Sequence, residues 1–125
     1  MNRHILLIED DEPLLAAMAE YFQCHGYEVK TAGEAEEAVA MLRNHRFDVA
    51  ITDLELNSIE GLDGFGVLKA LRQASPGTKV IIYSGHADSM IVEAAIGQGG
   101  ISFIAKPSSF TELLASVEDL CALPS

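Results

Sequence analysis

Ile5-Leu6-Leu7-Ile8-Glu9-Asp10-Asp11-Glu12 joins four consecutive apolar residues to four consecutive acids. An apolar run without alternation is the pattern of a strand buried on both faces, as in a parallel sheet covered by helices. Two more such runs follow, and a further apolar stretch that Ser102 interrupts. Val49-Ala50-Ile51-Thr52 leads into Asp53-Leu54, Val80-Ile81-Ile82-Tyr83 into Ser84, and Ile101-Ser102-Phe103-Ile104-Ala105 into Lys106. Each run ends in a side chain with chemistry: acids, an acid, a hydroxyl and an ammonium.

Between the runs, apolar residues recur at helical spacing. Leu14, Leu15, Met18 and Phe22 share one face, as do Ala35, Ala38, Val39 and Leu42, and Val67, Leu68 and Leu71. Pro13 suits a first helical turn, whose N–H groups lack helical partners, and Gly26 suits a helix end. The pattern predicts strands at 4–8, 27–31, 48–53, 79–83 and 101–105, and helices at 12–25, 33–44, 64–74, 87–97 and 109–121. Strands separated by single helices imply right-handed crossovers and an α/β fold, a doubly wound five-stranded parallel sheet with helices on both faces. Ligands of such sheets bind beyond the carboxyl ends of the strands. The acids, Ser84 and Lys106 are therefore expected in one site. With no linker or low-complexity tract, residues 1–125 read as one domain.

The chain has 125 residues, 49% of them hydrophobic, which is material for one core. No apolar run approaches the roughly 20 residues of a membrane span. Met1-Asn2-Arg3-His4 passes straight into a strand without a secretory pattern, so the expected compartment is the cytoplasm. Eight Lys and Arg against nineteen Asp and Glu give a net charge of −11. The cations form no cluster in the sequence, which argues against direct binding to nucleic acid. Glu34, Glu36 and Glu37 read as the solvated start of a helix. Cys24 and Cys121 fit no metal spacing, and Cys121 continues the apolar stripe of Leu113, Leu114, Val117 and Leu120 as a core thiol.

Glu9, Asp10 and Asp53 gathered at strand ends would repel one another without a cation between them. Mg²⁺ takes oxygen ligands, keeps several waters and needs few carboxylates, so Asp10 directly, Glu9 through water and the backbone carbonyl of Glu55 complete a candidate set. Asp11 and Glu12 read as helix-start residues. Lys106 supplies a compact charge for Asp53 and a phosphate oxygen, and Ser84 a hydroxyl donor. Ser84-Gly85-His86 is a poor catalytic triad, because triads are built in space and not from sequence neighbours. Gly97, Gly99 and Gly100 do not follow a strand and make no dinucleotide fingerprint. His4, His25 and His45 have no metal-ligand spacing and read as surface residues.

Taken in order, Ile8-Glu9-Asp10-Asp11, Asp53-Leu54, Asp63-Gly64-Phe65, Ser84-Gly85 and Lys106-Pro107 resemble the receiver domain of bacterial response regulators. The resemblance spans essentially the whole chain. It implies a flavodoxin-like sheet of order 2-1-3-4-5 and Asp53 as phosphoacceptor for a histidine kinase or histidine phosphotransfer protein. It implies Mg²⁺ held by Glu9, Asp10, Asp53 and Glu55, with Ser84 and Lys106 on the phosphoryl oxygens. It further implies a cis Lys106–Pro107 bond and Phe103 as a switch aromatic moving with Ser84. The acyl phosphate would shift the surface of residues 87–97, 101–105 and 109–121 toward a downstream target or effector domain.

Three features depart from the family pattern. Residues 56–62 form a loop longer than usual and without its proline. Glu55 and His86 occupy positions that tune phosphoryl lifetime in the family. Residues 87–99 and 108–125 hold no Lys or Arg, against a salt-bridged dimer there, while Met90, Ile91 and Ile101 suggest an apolar face, Ile101 fitting a core place better. Competing functions are a Mg²⁺-dependent phosphatase with Asp53 as nucleophile, a flavin binder, and a degenerate receiver that only binds a partner. The first lacks a substrate cap, the second a phosphate loop after strand one, and the third is at odds with the complete acid, hydroxyl and lysine set.

Overall fold

Strands and helices alternate through the residues that the computed structural model describes, 2–85 and 101–122. They are β1 (His4–Ile8), α1 (Glu12–Cys24), β2 (Glu28–Ala32), α2 (Ala35–Asn44), β3 (Val49–Thr52), α3 (Gly64–Ala74), β4 (Lys79–Ser84), β5 (Ile101–Ala105) and α4 (Phe110–Ala122). The expected helix at 87–97, with His86, Met90, Ile91 and the glycines at 97, 99 and 100, lies outside the described residues, as does the tail 123–125.

The sheet has order β2-β1-β3-β4-β5, as the resemblance implies, and every pairing is parallel. Adjacent strand residues alternate between two cores. Ile5, Leu7, Val49, Ile51, Ile81 and Tyr83 pack with Met18 and Phe22 of α1 and Leu113, Val117 and Leu120 of α4. Leu6, Ile8 and Ala50 pack with Ala35, Ala38 and Leu42 of α2 and Val67 and Leu71 of α3. Val80 and Ile82 join Leu54, Leu68 and Ile101 in a third cluster, so Ile101 is core. Burying a side chain of this size contributes about 1.5–3 kcal/mol, which explains why these strands lack alternation.

Differences from the expected boundaries have local causes. β2 starts one residue later than expected, because the Tyr27 N–H still closes α1, donating to the Phe22 carbonyl at 3.1 Å around Gly26 with φ 89°. α2 starts at Ala35 because the Gly33 N–H is held by the Glu37 carboxylate at 2.9 Å in the turn before it. β3 stops at Thr52, which leaves Asp53 one residue beyond the paired strand. Asp11 caps α1, accepting from the Leu14 N–H at 3.1 Å, and Asp63 caps α3, accepting from Gly66 at 2.8 Å. Cys24 is exposed and Cys121 half-buried, both as free thiols.

The cations that form no cluster along the sequence do form one in space. Arg3, Arg43, Arg46 and Lys79, half of the chain's eight Lys and Arg, line a cavity of about 690 Å³ at the amino ends of the strands. A parallel sheet starts every strand at the same end, so residues far apart in sequence meet there. Among the described residues no helix is long and apolar enough to cross a membrane.

Candidate functional site

Register brings the site together. Ile8 pairs with Thr52, so Glu9 and Asp53 leave the sheet side by side. Ser84 pairs with Ala105, so Lys106 emerges next to Ser84. The Asp53 N–H donates to the Ile8 carbonyl at 3.2 Å, and the Lys106 N–H donates to the Ser84 carbonyl at 3.0 Å. The Lys106–Pro107 bond is cis, as expected.

The Lys106 ammonium bridges two carboxylates. Its Nζ donates to Asp53 Oδ2 at 2.7 Å and to Glu9 Oε1. It also lies 5.3 Å from the centre of the Tyr83 ring, within cation–π range. The second Asp53 oxygen, Oδ1, accepts from the Glu55 N–H at 2.9 Å. The second Glu9 oxygen accepts from the Asp11 N–H at 3.3 Å. Glu9, Asp53 and Ser84 are all buried, at 3%, 7% and 0% exposure, so these charges depend on one another and little on water.

That environment separates the two acids. Burial pushes Glu9 above the ordinary glutamate value, reinforced by the Asp53 charge and only partly opposed by Lys106 and the Asp11 N–H. Burial acts to raise Asp53 as well, but the Glu55 N–H, Lys106 and a hydrogen bond with Ser84 outweigh it and hold Asp53 below the ordinary aspartate value. Burial would lower Lys106, but its hydrogen bonds to Asp53 and Glu9 raise it. At neutral pH Asp53 is thus an ionised carboxylate with fixed partners, and a proton entering the site goes to Glu9 first.

The donor set can be tested against a metal. Two carboxylates share one ammonium, which leaves a buried excess of negative charge. Among the described residues no three His, Cys, Asp or Glu side chains converge to enclose an ion. The oxygen-only donors Glu9 and Asp53, with exposed Asp10 beside Glu9 and the Glu55 backbone after Asp53, fit a hard cation that keeps most of its waters. Mg²⁺ meets that description, and a thiolate- or imidazole-seeking metal does not.

The long loop after Asp53 is anchored to α2. Leu56 is buried in the α2–α3 core. The Ala35 N–H donates to the Asn57 carbonyl at 3.0 Å. The Glu36 carboxylate accepts from the Ser58 hydroxyl and from the Ile59 N–H, each at 2.7 Å, and these bonds hold Glu36 below the ordinary glutamate value. Ser58 Oγ then accepts from the Leu62 N–H at 3.1 Å. The acids at 34–37 start α2 as expected, and beyond that reading Glu36 and Glu37 both bind loop backbone. At the end of the loop a Cβ on Gly64 would stand 3.1 Å from the Leu54 carbonyl oxygen, so a larger residue there would push the Leu54 backbone back by a few tenths of an ångström.

The structure thus brings Glu9, Asp53, Ser84 and Lys106 into contact. Asp10 and Glu55 sit at the rim with exposed side chains, and Phe103 is half-buried against the Leu54 and Ile82 cluster. His86 lies outside the described residues. From sequence, Lys106 has only Asp53 as an expected partner, and Glu9 emerges as its second partner in the fold. Two further residues carry no signal in the chain. Tyr83 reads there as an ordinary strand residue, and the role of Glu36 depends on a loop that holds no motif.

This geometry has many counterparts. The family model described as the response regulator receiver domain matches residues 5–118. The transcriptional regulatory protein GlrR of Escherichia coli is 31% identical over 116 residues, covering 93% of this chain and 26% of that protein. The probable transcriptional regulatory protein TcrX of Mycobacterium tuberculosis is 33% identical over 116 residues, covering 92% of this chain and 48% of that protein. The chain therefore spans between a quarter and a half of the length of these relatives. The non-phosphorylated HemR receiver domain of Leptospira biflexa superposes with a TM-score of 0.87 at 26% identity, covering 99% of this chain and 98% of that one. A CheY-like receiver domain protein of Methanospirillum hungatei gives a TM-score of 0.86 at 26% identity, covering 97% and 94%. The chain belongs to the response regulator receiver domain family.

Proposed function

We propose that this receiver domain, a phosphorylatable signalling switch of a two-component system, takes its phosphoryl group on Asp53. The observation that carries the assignment is the Lys106 ammonium held between Asp53 and Glu9, with Ser84 bonded to the same aspartate. Ionised Asp53 attacks the phosphorus of a phosphohistidine on a histidine kinase or phosphotransfer protein. The Asp53 O–P bond forms as the N–P bond breaks, and the electron pair leaves with the imidazole nitrogen. Lys106 and Ser84 are placed to meet the phosphoryl oxygens. The chain thereby contributes position and charge, on which the rate of phosphoryl transfer chiefly depends. Mg²⁺, when held by Glu9, Asp10, Asp53 and the Glu55 carbonyl, neutralises charge on the transferring group. Water later returns the carboxylate and inorganic phosphate, with Glu55 and His86 setting the lifetime, so the only reactions catalysed are the domain's own.

The phosphoryl charge draws Ser84 toward it, Phe103 turns inward, and the surface around β5 and α4 is presented to a downstream protein or effector domain in the cytoplasm. Residues 1–125 act as one phosphoacceptor domain. Intact-mass measurement after incubation with a small acyl phosphate, with and without Mg²⁺, tests the reading. Wild type gains one phosphoryl group only with the metal, and Asp53→Asn gains none. An adduct of equal yield on Asp53→Asn would refute the assignment, and sustained turnover of phosphomonoesters would favour a phosphatase.

A further inference from the structure

We propose that the cavity at the amino ends of the strands, at the opposite edge of the sheet from Asp53, binds a small multivalent anion bearing phosphate groups. Arg3, His4, Arg43, His45, Arg46 and Lys79 line it, and its volume of about 690 Å³ suits a small-molecule site. Among the described residues only one acid, Asp48, lines it, and that carboxylate already accepts the His4 backbone N–H at 2.8 Å.

Two of the cations have structural work. Arg3 donates to the Cys121 carbonyl at 3.5 Å and Lys79 to the Leu120 carbonyl at 2.7 Å, completing the last turn of α4. That contact also fixes their charges at the cavity wall. Arg43 and Arg46 are different: both are exposed, and among the described residues neither has an ion pair or a hydrogen bond from its guanidinium. Four cations therefore line one cavity in which Asp48 is the single carboxylate among the described residues, and an anion seated against Arg43 and Arg46 supplies these two with a counter-charge. Guanidinium groups pair bidentately with phosphate oxygens. A long polyanion is disfavoured, because the rest of the chain is strongly acidic and repels whatever extends beyond the cavity.

The test titrates the protein in Mg²⁺-free buffer with inorganic tripolyphosphate and, in parallel, with ATP, read by calorimetry and by amide NMR shifts. Saturable binding with a dissociation constant below about 1 mM is expected, with shifts confined to the cavity lining, residues 3–4, 42–48, 75, 77–79 and 121. Equal affinity for the two probes assigns recognition to the phosphate chain, and tighter ATP binding adds a nucleoside contact. The double variant Arg43→Ala, Arg46→Ala weakens binding by about tenfold or more, while Lys69→Ala, an exposed cation elsewhere, leaves it unchanged. Absence of saturation, shifts centred on Asp53 and Lys106, equal loss in Lys69→Ala, or tighter binding of a duplex oligonucleotide overturns the proposal. Should the double variant lose its fold by circular dichroism, the shift map of the wild type decides alone.

Discussion

At Lys106 a single ammonium answers two carboxylates, and the imbalance defines the site at the scale of the residue. Asp53 has a depressed pKa, so its stabilising contribution is present above the ordinary aspartate value and lost as pH falls through the depressed one. Glu9 has a raised pKa, so its contribution is present below the ordinary glutamate value and lost as pH rises through the raised one. Ionised Glu9 therefore costs stability at neutral pH. Glu9→Gln keeps an acceptor for Lys106 and removes that charge, and should stabilise the metal-free protein at pH 7 by about 0.5–2 kcal/mol. Urea denaturation at neutral pH and near pH 4 checks this: the gain fades in acid, where Glu9 is itself protonated. A gain of the same size at both pH values would assign the effect to packing instead. The same substitution should weaken Mg²⁺ binding, the usual exchange of stability for function.

Among the elements, the segment between β3 and α3 is the one whose path the family pattern did not supply. Its residues hang from the first turn of α2 by the Glu36 carboxylate and the Ala35 N–H, and from the core by Leu56. The same segment begins with the Glu55 N–H on Asp53 Oδ1, so the anchor at Glu36 and the phosphoacceptor share one piece of backbone. Glu36→Ala should speed amide exchange at Ile59 and Leu62 by about tenfold or more, because one loses its acceptor and the other a hydroxyl that Glu36 holds in place. Protection at Leu6 and Ile51 should not change. Unaltered exchange at Ile59 would show that Leu56 and Asn57 hold the loop unaided. Because Glu36 sits below its ordinary value, the clasp is present above the ordinary glutamate pKa and opens as pH falls through the depressed one.

Across the whole molecule, carboxylates occupy the rim where strands end, and half of the cations the rim where strands begin. The core between them is closely packed, and Phe22 shows how much depends on it. Its ring is fully buried and meets Tyr21 and Tyr27 edge-on, with centroids at 5.6 and 5.7 Å. Phe22→Ala should cost about 3–5 kcal/mol, a large part of the roughly 5–15 kcal/mol that holds a domain of this size. A chemical denaturation midpoint measures it, and a loss below about 1 kcal/mol would mean that the cavity refills. Strand positions, helix phase and the ordered set Glu9, Asp53, Ser84 and Lys106 were legible in the chain because each depends on a local pattern: an unbroken apolar run, a helical period, a residue at a run's end. The bond from Lys106 to Glu9 spans 97 residues, the clasp of Glu36 on Ser58 spans 22, and the meeting of Arg3 with Lys79 requires the sheet to exist. Such contacts follow from strand register and crossover direction, which bring distant residues to one end of the sheet, and no local pattern of residues encodes them.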